Sequence, residues 1–237
     1  MLVTLHVWRV PRRKIGAAFL RMARDPGRLR SLPGVTFAKL LGTSDGNTFV
    51  PGEADWTRYA AVVVRDGPPV DVDGRWARIA EGRASIEMTP LTSRGTWSGR
   101  APFGVPAGGR TDGPVLALTR ARLRPVKALT FWRAVPPVAR ELAAAPGLLA
   151  RFGVGEAPVG WQGTVTLWSG AADLTRFAYR QRDGRGLEIC QVVAAAVPEL
   201  DAQRKRAALA AIGDPAFDLV REGAGKQHTR TSPFEQA

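Results

Sequence analysis

The 237 residues are 45% hydrophobic, enough apolar material for one large domain or two small fused ones. One cysteine and two histidines exclude an internal disulfide, a cysteine-built metal cage and, within one chain, a multi-histidine metal site. The formal charge of +13 comes from cations, mostly arginines, spread along the whole length. With no zinc-finger spacing, RNA-recognition phrase or glycine-rich phosphate loop to concentrate them, nucleic acid is a disfavoured partner.

The opening "MLVTLHVWRVPRRK" puts its cations after a short alternating apolar stretch, the reverse of a secretory leader. It predicts a first strand and a cytoplasmic protein, and no apolar run approaches the roughly 20 residues that span a bilayer. "IGAAFLRMARDPGRLRSL" spaces Ile15, Phe19 and Met22 for a helix that a Pro-Gly pair should break. "GVTFAKLLGT" reads as a second strand, "SDGNTFVPGEAD" as a loop and "TRYAAVVVRD" as a third strand. A short helix around "RWARIAE" and a fourth strand over "ASIEMTPLTSRG" complete the first half.

The second half repeats the plan. "VLALTRARLRP" is a strand, with Leu116, Leu118, Ala121 and Leu123 as its apolar positions. "KALTFWRAVPPVARELAAA" is a helix in which Pro136 and Pro137 predict a kink or two short pieces. "PGLLARFGVGEAP" parallels "PGVTFAKLLGTSD", each carrying Pro-Gly, one cation (Lys39 or Arg151) and then glycine. "WQGTVTLWSG" alternates as a strand, and "LEICQVVAAAV" is the available final strand, with Cys190 as a small buried hydrophobe. Strand, helix, strand, strand, helix, strand, given twice, predicts an α+β fold of two tandem ferredoxin-like units that close into one barrel. The expected boundaries are 1–105, a linker at 106–114, 115–215, and a frayed tail at 216–237. Each unit's bare sheet face needs a partner, so the two should enclose an apolar chamber, open beside Lys39 and Arg94.

"LPGVTFAKLLGTSDGNTFVP", "LTSRGTWSGRAPF", "ALTRARLRPVKALTFWRAVP" and "FGVGEAPVGWQGTVTLW" together resemble the spheroidene monooxygenase family. The likeness runs roughly from Leu2 to Tyr179 and fades beyond it, and Trp161 stands where the family phrase commonly has histidine. The resemblance implies a dimeric α+β-barrel architecture and a haem-containing, oxygen-dependent enzyme that places a keto group near the end of an acyclic carotenoid. It also implies electrons from a ferredoxin-type donor, which a basic exterior suits, as it suits peripheral contact with an anionic membrane.

Candidate site residues follow from both lines. A haem needs an axial ligand. His6 can supply one if its strand face opens on a pocket, and is otherwise a hydrogen-bonded histidine at the surface; His228 falls in the expected tail. Lys39 and Arg151, with Arg94, can hold a cofactor's propionates or else extend to the barrel rim. In "TSRGTWSGRAPF", Trp97 and Ser98 are either a substrate-binding pocket rim or a crossover whose tryptophan plugs the core. Glu156 is either a turn residue or a proton-delivery group for oxygen activation. The expected activity is monooxygenation of a large apolar substrate. The rivals are a cofactor-free oxygenase of the same barrel type and a non-catalytic barrel that binds a hydrophobic ligand.

Overall fold

In the computed structural model, which describes residues 1–44, 53–104, 111–122, 128–156, 161–180 and 188–196, strand β1 (Leu2–Arg9) sets the pattern for the sheet. Its period of two sends Val3, Leu5 and Val7 to one face and Thr4, His6 and Trp8 to the other. Helix α1 (Ile15–Arg30), β2 (Val35–Ser44), β3 (Ala54–Arg65) and β4 (Gly82–Gly95) follow. The second half supplies β5 (Val115–Arg122), α2 (Ala128–Ala143), β6 (Leu148–Glu156), β7 (Trp161–Trp168), α3 (Ala171–Arg180) and β8 (Glu188–Ala196).

The strands close a barrel in the order β1-β3-β2-β6-β7-β5-β8-β4, and every pairing is antiparallel. Within each half the order is fourth, first, third, second, the ferredoxin-like arrangement, so the expected duplication is present. The halves are sewn together twice, fourth strand to fourth strand and second to second. The β4–β8 seam pairs residues from Thr89 to Gly95, whereas the β2–β6 seam holds only at Gly42, Thr43 and Ser44.

The inward face carries a continuous apolar core from Val3, Leu5 and Val7 across to Leu116, Leu118, Phe152, Val154 and Val165. This interior is packed with side chains. The apolar chamber expected from the sequence is therefore replaced, among the described residues, by a solid core. Outside the first half, Trp8, Tyr59 and Val63 pack under Ala18 and Leu29 of α1, with the Trp8 and Trp76 rings stacked at 4.8 Å.

Three local expectations are corrected. Around "RWARIAE" no α-helix forms; successive i→i+3 bonds (Trp76 to Asp73, Ile79 to Trp76) hold turns that seat Trp76 against Trp8 and Tyr59. α1 does not break at Pro26-Gly27, because Leu29 beyond it is fully buried and holds the last turn down. α2 is one helix through Pro136 and Pro137 and not two short pieces, anchored on either side by buried Val135, Ala139 and Leu142. Packing outweighs the lost backbone donors. Residues 106–110 of the expected linker and the expected tail at 216–237, including His228, lie outside the described residues. Among the described residues no helix is long and apolar enough to cross a membrane.

Candidate functional site

The alternation that fills the barrel with hydrocarbon is interrupted by charge at one end. On β2, Lys39 falls between the inward residues Phe37 and Leu41; on β5, Arg120 follows Leu116 and Leu118; on β6, Glu156 follows Phe152 and Val154. β5 and β6 finish at the same end because both pair antiparallel with β7, and β2 starts there because it runs antiparallel to β6. The side chains meet on Glu156. Its Oε2 accepts from Lys39 Nζ at 2.8 Å, and its Oε1 accepts from Arg120 Nε at 2.7 Å and from Trp97 Nε1 at 2.7 Å. The Arg120 guanidinium also lies over the Trp97 ring, 5.2 Å from its centroid. Exposure is 22% for Lys39, 16% for Glu156 and 5% for Arg120, so the cluster is largely withdrawn from water.

Burial is the largest single influence on Glu156 and acts to raise its pKa. The Lys39 bond, the charges of Arg120 and Lys39 and the Trp97 bond together outweigh it and hold the carboxyl below its ordinary value. Three donors thus converge on Glu156 and favour its charged form. Leu41, Leu118, Val154, Trp97, Gly163 and Gln162 complete the surroundings, and the space they leave is about 10 Å³, room for one water.

"TSRGTWSGRAPF" explains how Trp97 arrives. Trp97 N donates to Arg100 O and Arg100 N back to Trp97 O, closing a tight turn over Ser98 and Gly99. Both central residues have positive φ (54° and 74°), the signature of a type I′ turn, which glycine adopts freely and serine at a cost. The turn lies just past β4 and drops Trp97 into the barrel's end, 1% exposed, against Phe37 and Phe103. The ring plugs the core while its N–H reaches the charged cluster.

The remaining candidates stand elsewhere. Ser98 and Arg94 are exposed, Arg94 in register with Val192 of β8. Arg151 is buried, but it alternates with inward Phe152 and so lies on the outer face, opposite in direction to Lys39. His6 is also on the outer face. Its Nδ1 is 3.3 Å from Asp73 Oδ1 and its Nε2 is 3.2 Å from Thr4 Oγ1, while Trp8 Nε1 donates to the same Asp73 oxygen at 2.9 Å. The His6 bond foremost, then the Trp8 bond and the charges of His6 and Arg83, keep Asp73 below the usual carboxylate range against the opposing effect of burial. Arg120 and Gln162 were not singled out from the sequence. The signal for Arg120 was available in the spacing Leu116, Leu118, Arg120.

Among curated proteins, a spheroidene monooxygenase from Rhodobacter capsulatus is 34% identical over 168 residues, covering 66% of this chain and 68% of that protein. The chain belongs to the spheroidene monooxygenase family. Proteins of the same name from Rubrivivax gelatinosus (34% over 154 residues) and Cereibacter sphaeroides (27% over 155 residues) also match, and the matched stretch spans 59% and 48% of their lengths. No family model matches. Among solved structures, putative monooxygenases from Fusobacterium nucleatum and Lactobacillus acidophilus overlay on 84% of the chain, spanning 92% and 99% of theirs, at 11% and 15% identity and TM-scores of 0.35 and 0.31. Overlays this loose decide nothing about the site.

His6 does not fit the axial-ligand role in the haem that the spheroidene monooxygenase resemblance implies. An axial imidazole needs a free nitrogen facing a cavity. Both His6 nitrogens are engaged, and its ring is stacked on Trp8 at 5.8 Å. The expected result of titrating haem into the protein is thus a Soret spectrum identical for wild type and His6→Ala. A band lost in that variant would make His6 the ligand after all.

Proposed function

We propose that this chain is an oxygenase acting on a large apolar substrate of the carotenoid kind, with the reacting end of the substrate held at the Glu156 end of the barrel. The observation that carries this reading is the cluster itself. Two cations and a carboxylate have been set into an apolar interior, where similarly sized hydrocarbon side chains are often as stabilising or more so. A cost of that kind is the mark of a working site. Membership of the spheroidene monooxygenase family supports the reaction class.

In this reading Leu41, Leu118, Val154 and Trp97 form the apolar wall that takes the end of a polyene. The gap beside Glu156 holds about one water, so seating the polyene requires these side chains to part where β2 and β6 pair only at Gly42, Thr43 and Ser44. Lys39 and Arg120 provide a positive potential that favours negative charge developing on reducing oxygen, and Glu156 holds them in place. One oxygen atom enters the substrate's C–H bond, and the other leaves as water with electrons and protons from an external donor of the ferredoxin type. A second hydroxylation at the same carbon gives a gem-diol, which loses water to leave a ketone.

The test is a reaction with an acyclic carotenoid, isotopically labelled oxygen gas and a reduced ferredoxin. A labelled keto product from wild type is expected, with the rate in Lys39→Met lowered on the order of a hundredfold. Absence of labelled product from every acyclic carotenoid tried would remove the reading. The arrangement of His6 favours one second reading, a cofactor-free oxygenase in which the two cations bind an electron-rich, deprotonated substrate. It is distinguished by label incorporation into such a substrate without haem or donor.

A further inference from the structure

The start of α1 carries a feature that the core does not use. The helix packs on the sheet through Ala18, Met22 and Leu29, yet Phe19 and Leu20 point away and are 46% and 48% exposed. Trp56, at the start of β3, is 52% exposed and its ring lies 5.3 Å from that of Phe19. Three large apolar side chains thus form one outward patch. Immediately before them the 3₁₀ turn Arg12–Lys14 presents three exposed cations in a row, and Arg24 is exposed one turn after Leu20. The acid within α1, Asp25, is buried and faces Arg75. The acids flanking Trp56 are Glu53 and Asp55, and Asp55 is turned to Thr57 and Arg58.

We infer that this surface docks the protein on an anionic lipid bilayer, with Phe19, Leu20 and Trp56 set into the headgroup boundary and Arg12, Arg13 and Lys14 against lipid phosphates. The sizes involved favour a membrane over a protein partner. Half-exposed side chains of this kind offer roughly 300 Å² in all, well short of the about 800 Å² per side of a stable protein interface. A second copy would also bring its own cations against these. A bilayer needs only shallow insertion of a few apolar groups reinforced by charge. The patch lies at the opposite end of the barrel from Glu156, since β1 finishes and β3 begins there. Docking through it leaves the Glu156 end accessible from the aqueous side. The inference stands on the surface alone and survives whether or not the proposed reaction is correct.

The experiment is co-sedimentation of the full chain with vesicles of phosphatidylcholine alone and of phosphatidylcholine mixed with phosphatidylglycerol. Binding to the mixed vesicles only, weakened by salt, is expected. Arg13→Ala and Lys14→Ala should each lower the partition coefficient about fivefold. Phe19→Ser with Trp56→Ser should lower it further with the charges intact, and thermal midpoints should confirm that these surface variants fold. No binding to the mixed vesicles overturns the inference. So does binding indifferent to Phe19→Ser and Trp56→Ser, which would be charge attraction alone, and so does a wild-type dimer that those substitutions dissociate.

Discussion

Glu156→Leu is expected to lower the unfolding free energy by about 3–5 kcal/mol, measured by urea denaturation at neutral pH. The substitution leaves Lys39 and Arg120 inside the barrel without their counter-charge, and an unpaired buried charge is more costly than a lost contact. The triple variant Lys39→Met, Arg120→Met, Glu156→Leu should regain most of that loss, because hydrocarbon of similar volume suits the interior. It should not regain all of it, since Trp97 Nε1 then loses its acceptor. Product formation should stay absent in both. A triple variant that keeps wild-type activity would reduce the cluster to a structural fixture. The pH dependence has a definite sign. Glu156 has a folded-state pKa below its unfolded value, so its contribution is present above the unfolded pKa and is lost as pH falls through the lowered folded one. Wild type should therefore hold this increment at neutral pH and shed it only below the usual carboxylate range. In Lys39→Met, which removes the strongest of the lowering influences, the loss should begin at higher pH.

The duplicated plan was legible because each strand and hairpin carries its own local pattern. The run "LVTLHVWRV" alternates, and both halves place Pro-Gly before a second strand; closure into a barrel then follows from the two bare faces. The helix ends were not legible in this way. Pro26-Gly27 reads as a break and Pro136-Pro137 as a kink or a division, and only the burial of Leu29, Ala139 and Leu142, a tertiary fact, carries the helices past them. Site residues divide along the same line. Lys39 was visible as a cation on an apolar strand, but its apparent counterpart Arg151 is displaced by one position in the alternation, which turns it to the other face of the sheet. Arg120 is in phase with Leu116 and Leu118, a signal that Ala121 and Leu123 obscure by continuing the apolar run out of phase. Glu156 was noticed among glycines, yet nothing local in "GVGEAP" says that three donors from β2, β5 and the turn after β4 converge on it.

Trp97→Ala should cost about 3–5 kcal/mol, the expectation for truncating a fully buried aromatic ring that cannot be replaced by collapse of its neighbours. Trp97→Phe separates the two things the residue does. A phenyl ring keeps the packing against Phe37 and Phe103 and the face presented to Arg120, but it has no N–H for Glu156. Its cost should be smaller, about 1–3 kcal/mol for a lost bond to a buried carboxylate that still has two other donors. Loss of that donor also lets the Glu156 pKa rise toward its ordinary value, so the acid limb of the stability profile should move to higher pH in Trp97→Phe. If Trp97→Phe is as damaging as Trp97→Ala, the indole's extra bulk, and not its bond, is what the barrel's end requires. If it is neutral in both stability and acid limb, the turn that delivers Trp97 serves packing alone. The intermediate result would mean that one side chain closes the apolar core and completes the charged cluster at the same point. That is why the chain concentrates so much aromatic and glycine chemistry in a single tight turn.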